Sequence, residues 1–227
     1  MLHFIYMHYL IGSLSLLLVW GLIYFFVKDI RREMLISSLL VTPAAFSELF
    51  FVPGYWTPDA LLSPRLSIED FIFSFAVGGI AGVSYELLMR GKIKHRRLCE
   101  CFHDIKHGMS LGIGIVTILV SYYLFDLNFM YASYLGIVVD VLIIVLIRKD
   151  LIPKILLSSL VFGSFYLLFF AIFVYFLPSF ILHWNVDNLS GLSLANVPLE
   201  EIWWALGTGA LLGPLYEYLL GYKLSTT

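Results

Sequence analysis

The stretch VPLEEIWWALGTGALLGPLYEYLL, residues 197–220, decides the fold. Its apolar run is long enough to cross a bilayer, for which about 20 residues are needed. Two adjacent carboxyl groups, Glu200 and Glu201, stand at its start and are followed by Trp203 and Trp204. The stretch therefore predicts a membrane helix that begins on a pair of acids.

The composition of the whole chain agrees with a membrane protein. Hydrophobic residues make up 60% and charged residues 13%, and the mean hydropathy is +0.91, whereas soluble domains are about half apolar. Apolar runs near the spanning length lie at about 4–27, 35–53, 68–89, 108–125, 127–147, 155–177 and 199–220. We therefore predict an all-α integral membrane protein with seven transmembrane helices, located in the cell membrane as a multi-pass protein.

The positive charges predict the orientation. If the N-terminus lies outside, every Lys and Arg except Arg65 falls in the cytoplasm, which is a strong positive-inside bias. The predicted topology is therefore N-out, C-in. Cys99 and Cys101 then lie in a cytoplasmic loop, where thiols stay reduced and no structural disulfide is expected.

An internal repeat underlies this arrangement. The segment SIEDFIFSFAVGGIAGVSYELL, which starts at Ser67, repeats the pattern of the opening stretch 131 positions earlier. The matched positions are Glu69 with Glu200, Asp70 with Glu201, Gly78 with Gly209, Gly82 with Gly213, Tyr85 with Tyr216, and Glu86 with Glu217. Upstream, WTPD at Trp56 matches WNVD at Trp184.

The repeat predicts the domain organisation. Residues 1–90 form a first three-helix repeat, residues 91–126 a cytoplasmic loop and a linking fourth helix, and residues 127–227 a second three-helix repeat. Because both copies run from outside to inside, this is a parallel 3+1+3 arrangement, in which sites tend to lie between the halves. We expect the two acid pairs to face each other or a shared cavity.

Glu69, Asp70, Glu200 and Glu201 are the candidate catalytic residues. Carboxyl groups inside a membrane protein usually mark function, and burial beside a second acid favours the protonated form, which suits proton transfer. The other interpretation is that acids in a first turn stabilise the helix dipole. Neighbouring rings are candidate substrate-binding residues because aromatic faces stabilise cations, although Trp also belts membrane interfaces. These rings are Phe71, Phe73, Trp203 and Trp204.

The SIEDFIF and PLEEIWW segments, each preceded by a Trp-containing loop and ended by a Tyr-Glu dipeptide, resemble the lycopene cyclase domains of the bacterial heterodimeric, archaeal fused and fungal type. The resemblance implies an intramolecular lyase or isomerase that needs no cofactor. It implies protonation of a terminal double bond of lycopene, ring closure of the cation and loss of a proton, without net redox change. The four acids would then be its acid and base groups, with a lipophilic polyene as substrate.

The chain departs from the family pattern at Ser67, which replaces the proline of the first copy. Glu48 is a candidate for the acid that the family often has near the end of the second span, and we assign it to substrate binding. The sixth span lacks such an acid. The two halves are therefore expected to be unequal, one catalytic and one mainly binding.

Other functions stay open at this point. A cyclase for a C50 carotenoid, a carotenoid hydratase or a small-molecule transporter of the 3+1+3 type would share many of these features. The expected partners are the polyene and membrane lipid, without nucleic acid, and we predict no metal site.

Overall fold

The structure is a computed structural model that describes residues 7–63, 65–89, 93–97 and 105–226; of residues 93–97, 105–110 and 223–226 it describes only the backbone. The loop positions Cys99 and Cys101 lie outside this range. The helices are α1 His8–Phe26, α2 Arg31–Val41, α3 Glu48–Phe51, α4 Ile68–Gly82, α5 Ser84–Leu88, α6 Ile105–Phe125, α7 Phe129–Ile147, α8 Ile152–Phe176, α9 Leu199–Leu212 and α10 Leu215–Leu220.

Short strands pair in two places. Strand β1 (Ile93–Arg97) runs antiparallel to β4 (Tyr222–Thr226), and β2 (Ser193–Leu194) runs antiparallel to β3 (Val197–Pro198) just before α9. Short 3-10 helices connect several α-helices, and the six-residue one at Thr42–Ser47 contains Pro43. Pro43 therefore interrupts the second predicted span, as a residue without a backbone N–H is expected to do.

Helices of spanning length confirm that this is a mostly helical membrane protein. Within the described residues, four helical segments are long and apolar enough to cross a bilayer: His8–Phe26, Lys28–Phe51, Phe129–Ile147 and Lys149–Phe176. Their outward positions carry large apolar side chains, as contact with lipid requires: Leu18, Leu142 and Leu168 are each more than half exposed. The predicted count of seven spans and the 3+1+3 arrangement stay predictions.

The two repeat-related spans are each divided into two helices. The run 68–89 breaks at Val83 between α4 and α5, and the run 199–220 breaks at Gly213 and Pro214 between α9 and α10. Val83 and Pro214 are 131 positions apart, so the breaks fall at matching places in the two segments. Proline explains the second break.

The described part of the chain forms two compact units. The first unit comprises the residues up to Ile80 together with Phe165–Ile202, and the second comprises Ala81–Ser164 together with the residues from Trp203 onward. The predicted domain boundaries at residues 90 and 126 stay predictions. The starts of α4 and α9, which carry the four acids, both lie in the first unit.

Small residues set the helix packing inside each unit. In the first unit, a Cβ on Gly78 of α4 would lie 2.6 Å from Cβ of Val41 at the end of α2. In the second unit, a Cβ on Gly209 of α9 would lie 2.6 Å from the Ser158 carbonyl oxygen of α8. The spacings that predict close packing therefore lie where helices meet.

A buried ion cluster stabilises the second unit. The Lys154 ammonium of α8 donates hydrogen bonds to Glu86 of α5 (2.5 Å) and to Glu217 of α10 (2.6 Å). Ile144, Leu151 and other apolar side chains form a core cluster in the same unit. Glu86 and Glu217, the repeat-related acids at the far ends of their segments, are therefore paired with a lysine as structural groups.

Candidate active site

Each acid pair lies buried in the first turn of its helix. The exposed fractions are 0% for Glu69, 3% for Asp70, 3% for Glu200 and 8% for Glu201. Carboxylates in this position interact favourably with the helix dipole, so dipole stabilisation contributes at both sites. The hydrogen-bond partners show what each acid does beyond that.

The first acid of each pair holds the loop that precedes its own helix. Glu69 accepts a hydrogen bond from the backbone N–H of Leu61 (2.9 Å) and another from the Ser67 hydroxyl. Glu200 accepts one from the backbone N–H of Ser190 (2.7 Å). Glu69 and Glu200 therefore have matching positions and matching loop contacts.

The second acid of the first pair caps its helix and also binds a tyrosine hydroxyl. Asp70 accepts a hydrogen bond from the backbone N–H of Ser67 (2.6 Å), which is one half of a capping box. Its other oxygen accepts a hydrogen bond from the buried Tyr9 hydroxyl of α1 (2.5 Å). Asp70 thus links the start of its own helix to α1.

The second acid of the second pair is held by side chains. Glu201 accepts hydrogen bonds from the Tyr55 hydroxyl, from the Tyr166 hydroxyl (2.8 Å) and from Nε1 of Trp184 (3.0 Å). Among the residues that the structure describes, every donor to Glu201 is a side chain. Its carboxyl group is therefore positioned by three rings rather than used to cap its helix.

Glu48 completes a cluster of three carboxyl groups. It is the first residue of α3 and accepts a hydrogen bond from Nε1 of Trp56. Its carboxyl group also interacts electrostatically with those of Asp70 and Glu201. We call Glu48, Asp70 and Glu201 the carboxyl cluster; all three lie in the first unit.

The two Trp-containing loops meet and fix the indoles. Trp56 and Trp184 form an antiparallel backbone bridge. The backbone N–H of Thr57 donates to the His183 carbonyl (2.7 Å), and that of Asn185 donates to the Tyr55 carbonyl (2.9 Å). One loop thereby presents Trp56 to Glu48 and the other presents Trp184 to Glu201, so the WTPD and WNVD motifs form one structure.

The predicted aromatic residues lie in different surroundings. Phe73 packs against Tyr9 with ring centroids 6.4 Å apart, next to the carboxyl cluster. Phe71 packs against Phe46 at 5.5 Å. Trp203 is 58% exposed and Trp204 is partly buried; both belong to the second unit. Substrate binding by these four rings and by Glu48 stays a prediction.

Sequence reasoning missed the phenol donors. Tyr9, Tyr55 and Tyr166 all donate to acids of the carboxyl cluster. Tyrosines are common in apolar membrane helices and at their ends, so nothing in the local pattern separates these three from the other tyrosines. The Trp loops were the one available sign, because Tyr55 directly precedes Trp56.

A small cavity lies beside the first acid of the second pair. It has a volume of about 110 Å³ and is lined by Trp184, Leu192, Pro198 and Glu200, among others. Pockets for drug-sized ligands occupy roughly 300–1,000 Å³. The cavity is therefore suited to a few water molecules and is too small for a long polyene.

Part of the chain that includes the second acid pair matches a known protein family. Residues 128–219 match the family model described as lycopene cyclase. This segment is therefore similar to the lycopene cyclase family. The match includes Glu200, Glu201, Tyr166 and Trp184, and it begins after the first acid pair. No curated protein and no solved structure matches the chain.

The lycopene cyclase match confirms the family resemblance that the repeated acid segments predict. It supports an enzyme of carotenoid cyclisation in general. Together with the four apolar helices, it supports a location in a membrane.

Proposed function

We propose that this protein is a membrane-embedded carotenoid cyclase that forms end rings on a lycopene-type polyene. A carboxylic acid donates a proton to the terminal double bond, which leaves a carbocation. The cation attacks a neighbouring double bond to form the ring C–C bond, and a proton then leaves the adjacent carbon to a carboxylate. One proton enters and one leaves, so there is no net redox change.

One observation carries the proposal. Glu201 lies buried inside the segment that matches the lycopene cyclase family, and its donors are two phenols and an indole. Such surroundings hold a carboxyl group in one orientation and keep most water away from it. General acid catalysis needs a positioned proton donor of this kind.

The carboxyl cluster supplies both a donor and an acceptor. Glu48 interacts electrostatically with both Asp70 and Glu201, and close carboxyl groups resist ionising together. One member can therefore hold a proton while another accepts one. In this proposal Glu201 is the leading acid, and Asp70, which also caps its helix, is the leading base.

The first acid of each pair holds the second acid in place through the loop that precedes the helix. Glu69 and Glu200 bind the loops ahead of α4 and α9, and those loops continue into the second acids. We assign them to positioning Asp70 and Glu201. The rings of Tyr9, Trp56 and Trp184 line the same region, and aromatic faces stabilise a cation by about 0.5–2 kcal/mol each.

Expression in a lycopene-accumulating bacterial host tests the proposal. The pigment should shift from lycopene to products with one or two rings, identified by chromatography and mass spectrometry. The same host with the empty vector is the control for background cyclisation. Unchanged lycopene, with the protein present in the membrane fraction, would contradict cyclisation of this substrate, and a hydroxylated open-chain product would show water addition instead.

A further inference from the structure

Three side chains outside the carboxyl cluster converge at one point in the first unit. They are His8 at the start of α1, Asp59 in the loop before α4, and His183 at the end of the 3-10 helix Pro178–His183. Their side chains are only 8%, 10% and 18% exposed. The two histidines are 175 positions apart in the sequence, so no local motif announces the group.

The distances between the facing atoms fit the edges of a metal coordination polyhedron. His8 Nδ1 lies 3.1 Å from Asp59 Oδ2 and 3.3 Å from His183 Nε2, and His183 Nε2 lies 3.6 Å from Asp59 Oδ1. In a tetrahedral zinc site with bonds of about 2.0–2.2 Å, neighbouring ligand atoms are about 3.3–3.6 Å apart. These distances involve both oxygens of Asp59, and one ligand atom from each of the three residues lies within 4.8 Å of the other two, close enough for one ion to bind all three residues.

The outer nitrogen of each histidine is already occupied. His183 Nδ1 lies 3.0 Å from the Thr57 carbonyl oxygen, which can only accept, so this nitrogen carries the ring proton. The His183 Nε2 lone pair then faces the group. His8 Nε2 lies 3.1 Å from the Ser179 hydroxyl, which leaves Nδ1 facing inward. Metal-binding histidines commonly have such a second contact, which fixes ring orientation.

The inward atoms carry more lone pairs than protons. With His183 in the tautomer that Thr57 requires, its Nε2 and the Asp59 carboxylate both present electron pairs to each other. A proton on His8 Nδ1 then has two acceptors nearby, Asp59 Oδ2 at 3.1 Å and His183 Nε2 at 3.3 Å. A divalent cation satisfies all three atoms together.

We propose that His8, Asp59 and His183 bind a divalent transition metal, with Zn²⁺ as the best fit. Two imidazoles and one carboxylate are a common ligand set for zinc and leave one position for water. The chemistry of this binding does not depend on the proposed cyclase reaction. It adds a metal site to a chain for which the sequence predicts none.

In this proposal the ion holds together the segments in which its ligands lie. His8 precedes Tyr9, His183 precedes Trp184, and Asp59 lies three positions after Trp56. Asp59 also accepts hydrogen bonds from the backbone N–H groups of His8 (3.0 Å) and Tyr9 (3.2 Å). An ion here would tie together the three segments that present donors to the carboxyl cluster.

Metal analysis of the purified full chain tests the site. The protein should carry a tag without histidine and be stripped with a chelator in detergent before titration with Zn²⁺ or Co²⁺. We expect one ion per chain and, with Co²⁺, the intense visible bands of a tetrahedral site. His183→Gln and Asp59→Asn should each weaken binding at least tenfold. Asp187→Asn is the matched control, because Asp187 occupies the position of Asp59 in the second Trp loop and is exposed.

Two results would overturn the proposal. One is the absence of stoichiometric binding by the wild-type chain, and the other is unchanged affinity in both ligand variants. If a variant does not fold, the wild-type chain still decides the question through modification by diethyl pyrocarbonate. Zn²⁺ should protect His8 and His183 while other histidines continue to react, and equal labelling with and without Zn²⁺ would contradict the site.

Discussion

The two acids of each pair have different partners although they are neighbours in the chain. Successive residues of a helix point about 100° apart because one turn takes 3.6 residues. Glu200 therefore reaches back to Ser190 in its own loop, whereas Glu201 faces Tyr55, Tyr166 and Trp184. The same division holds for Glu69 and Asp70, with Asp70 also capping α4. Adjacent carboxyl groups can thus supply a loop anchor and a reactive group at the same helix start.

Replacement of Glu201 should separate chemistry from structure. Glu201→Gln keeps the size of the side chain and one acceptor oxygen but removes the acid proton. We expect cyclase turnover in the lycopene-accumulating host to fall by at least about 100-fold, since general acid catalysis contributes about 10²–10⁴. Glu200→Gln should retain measurable turnover and lower the thermal stability, because it weakens a loop contact.

The exposed Asp187→Asn variant is the control for this pair and should give the wild-type product yield. Membrane-fraction immunoblots check that all variants accumulate equally. Wild-type yield from Glu201→Gln would reassign Glu201 to a structural role. Loss of turnover in Glu200→Gln at unchanged stability would move Glu200 into the chemistry as well.

At the scale of elements, close packing of α4 on α2 depends on Gly78. A methyl group at this position would lie 2.6 Å from Cβ of Val41 and 3.1 Å from the Ser37 carbonyl oxygen. Overpacking of this kind costs about 1–3 kcal/mol. Gly78→Ala should therefore lower the thermal midpoint of the detergent-solubilised protein.

Gly21 of α1 provides the comparison for Gly78, because a methyl group added there meets no atom within 4 Å. Gly21→Ala should leave the thermal midpoint unchanged or raise it slightly, since alanine has the higher helix propensity. Equal midpoints for the two variants would show that α4 can move away from α2 without loss of stability.

The helix breaks show where sequence patterns are sufficient and where they are not. Pro43 and Pro214 lack the backbone N–H that a continuous α-helix needs. The α-helix is interrupted at both residues in the structure. The helix break at Val83 has no proline, and the sequence indicates it only because Val83 occupies the position that matches Pro214 in the repeat. The hydrophobic pattern alone predicts each of these segments as one span.

For the whole molecule, the sequence was most informative where a pattern repeats. The acid pairs, the Trp loops and the glycines at matching positions led to the carboxyl cluster and to the close helix contacts. Tyr9, Tyr166, His8 and His183 could not be found in this way, and the repeat matches Asp59 only with the exposed Asp187. The roles of these residues arise only when segments far apart in the chain meet.

The side of the membrane on which each loop lies distinguishes the seven-span arrangement from one in which only the four long apolar helices cross. With seven spans and the N-terminus outside, Cys99 and Cys101 lie inside, on the opposite face from Leu62. If only the four long apolar helices cross the membrane, the two cysteines lie on the same side as Leu62 instead. These helices are His8–Phe26, Lys28–Phe51, Phe129–Ile147 and Lys149–Phe176. The native cysteines therefore report the number of crossings between α3 and α7.

A membrane-impermeant maleimide applied to intact cells measures this difference. We expect the wild-type cysteines to react only after the membrane is permeabilised, because the positive charges around them favour the cytoplasmic face. In a version with Cys99→Ser and Cys101→Ser, Leu62→Cys should react in intact cells, since Leu62 is 81% exposed and lies outside under both arrangements. Lys149→Cys should react only after permeabilisation and so controls for leakage. Labelling of the wild-type cysteines in intact cells, with Lys149→Cys still protected, would contradict the seven-span arrangement and the parallel repeat that depends on it.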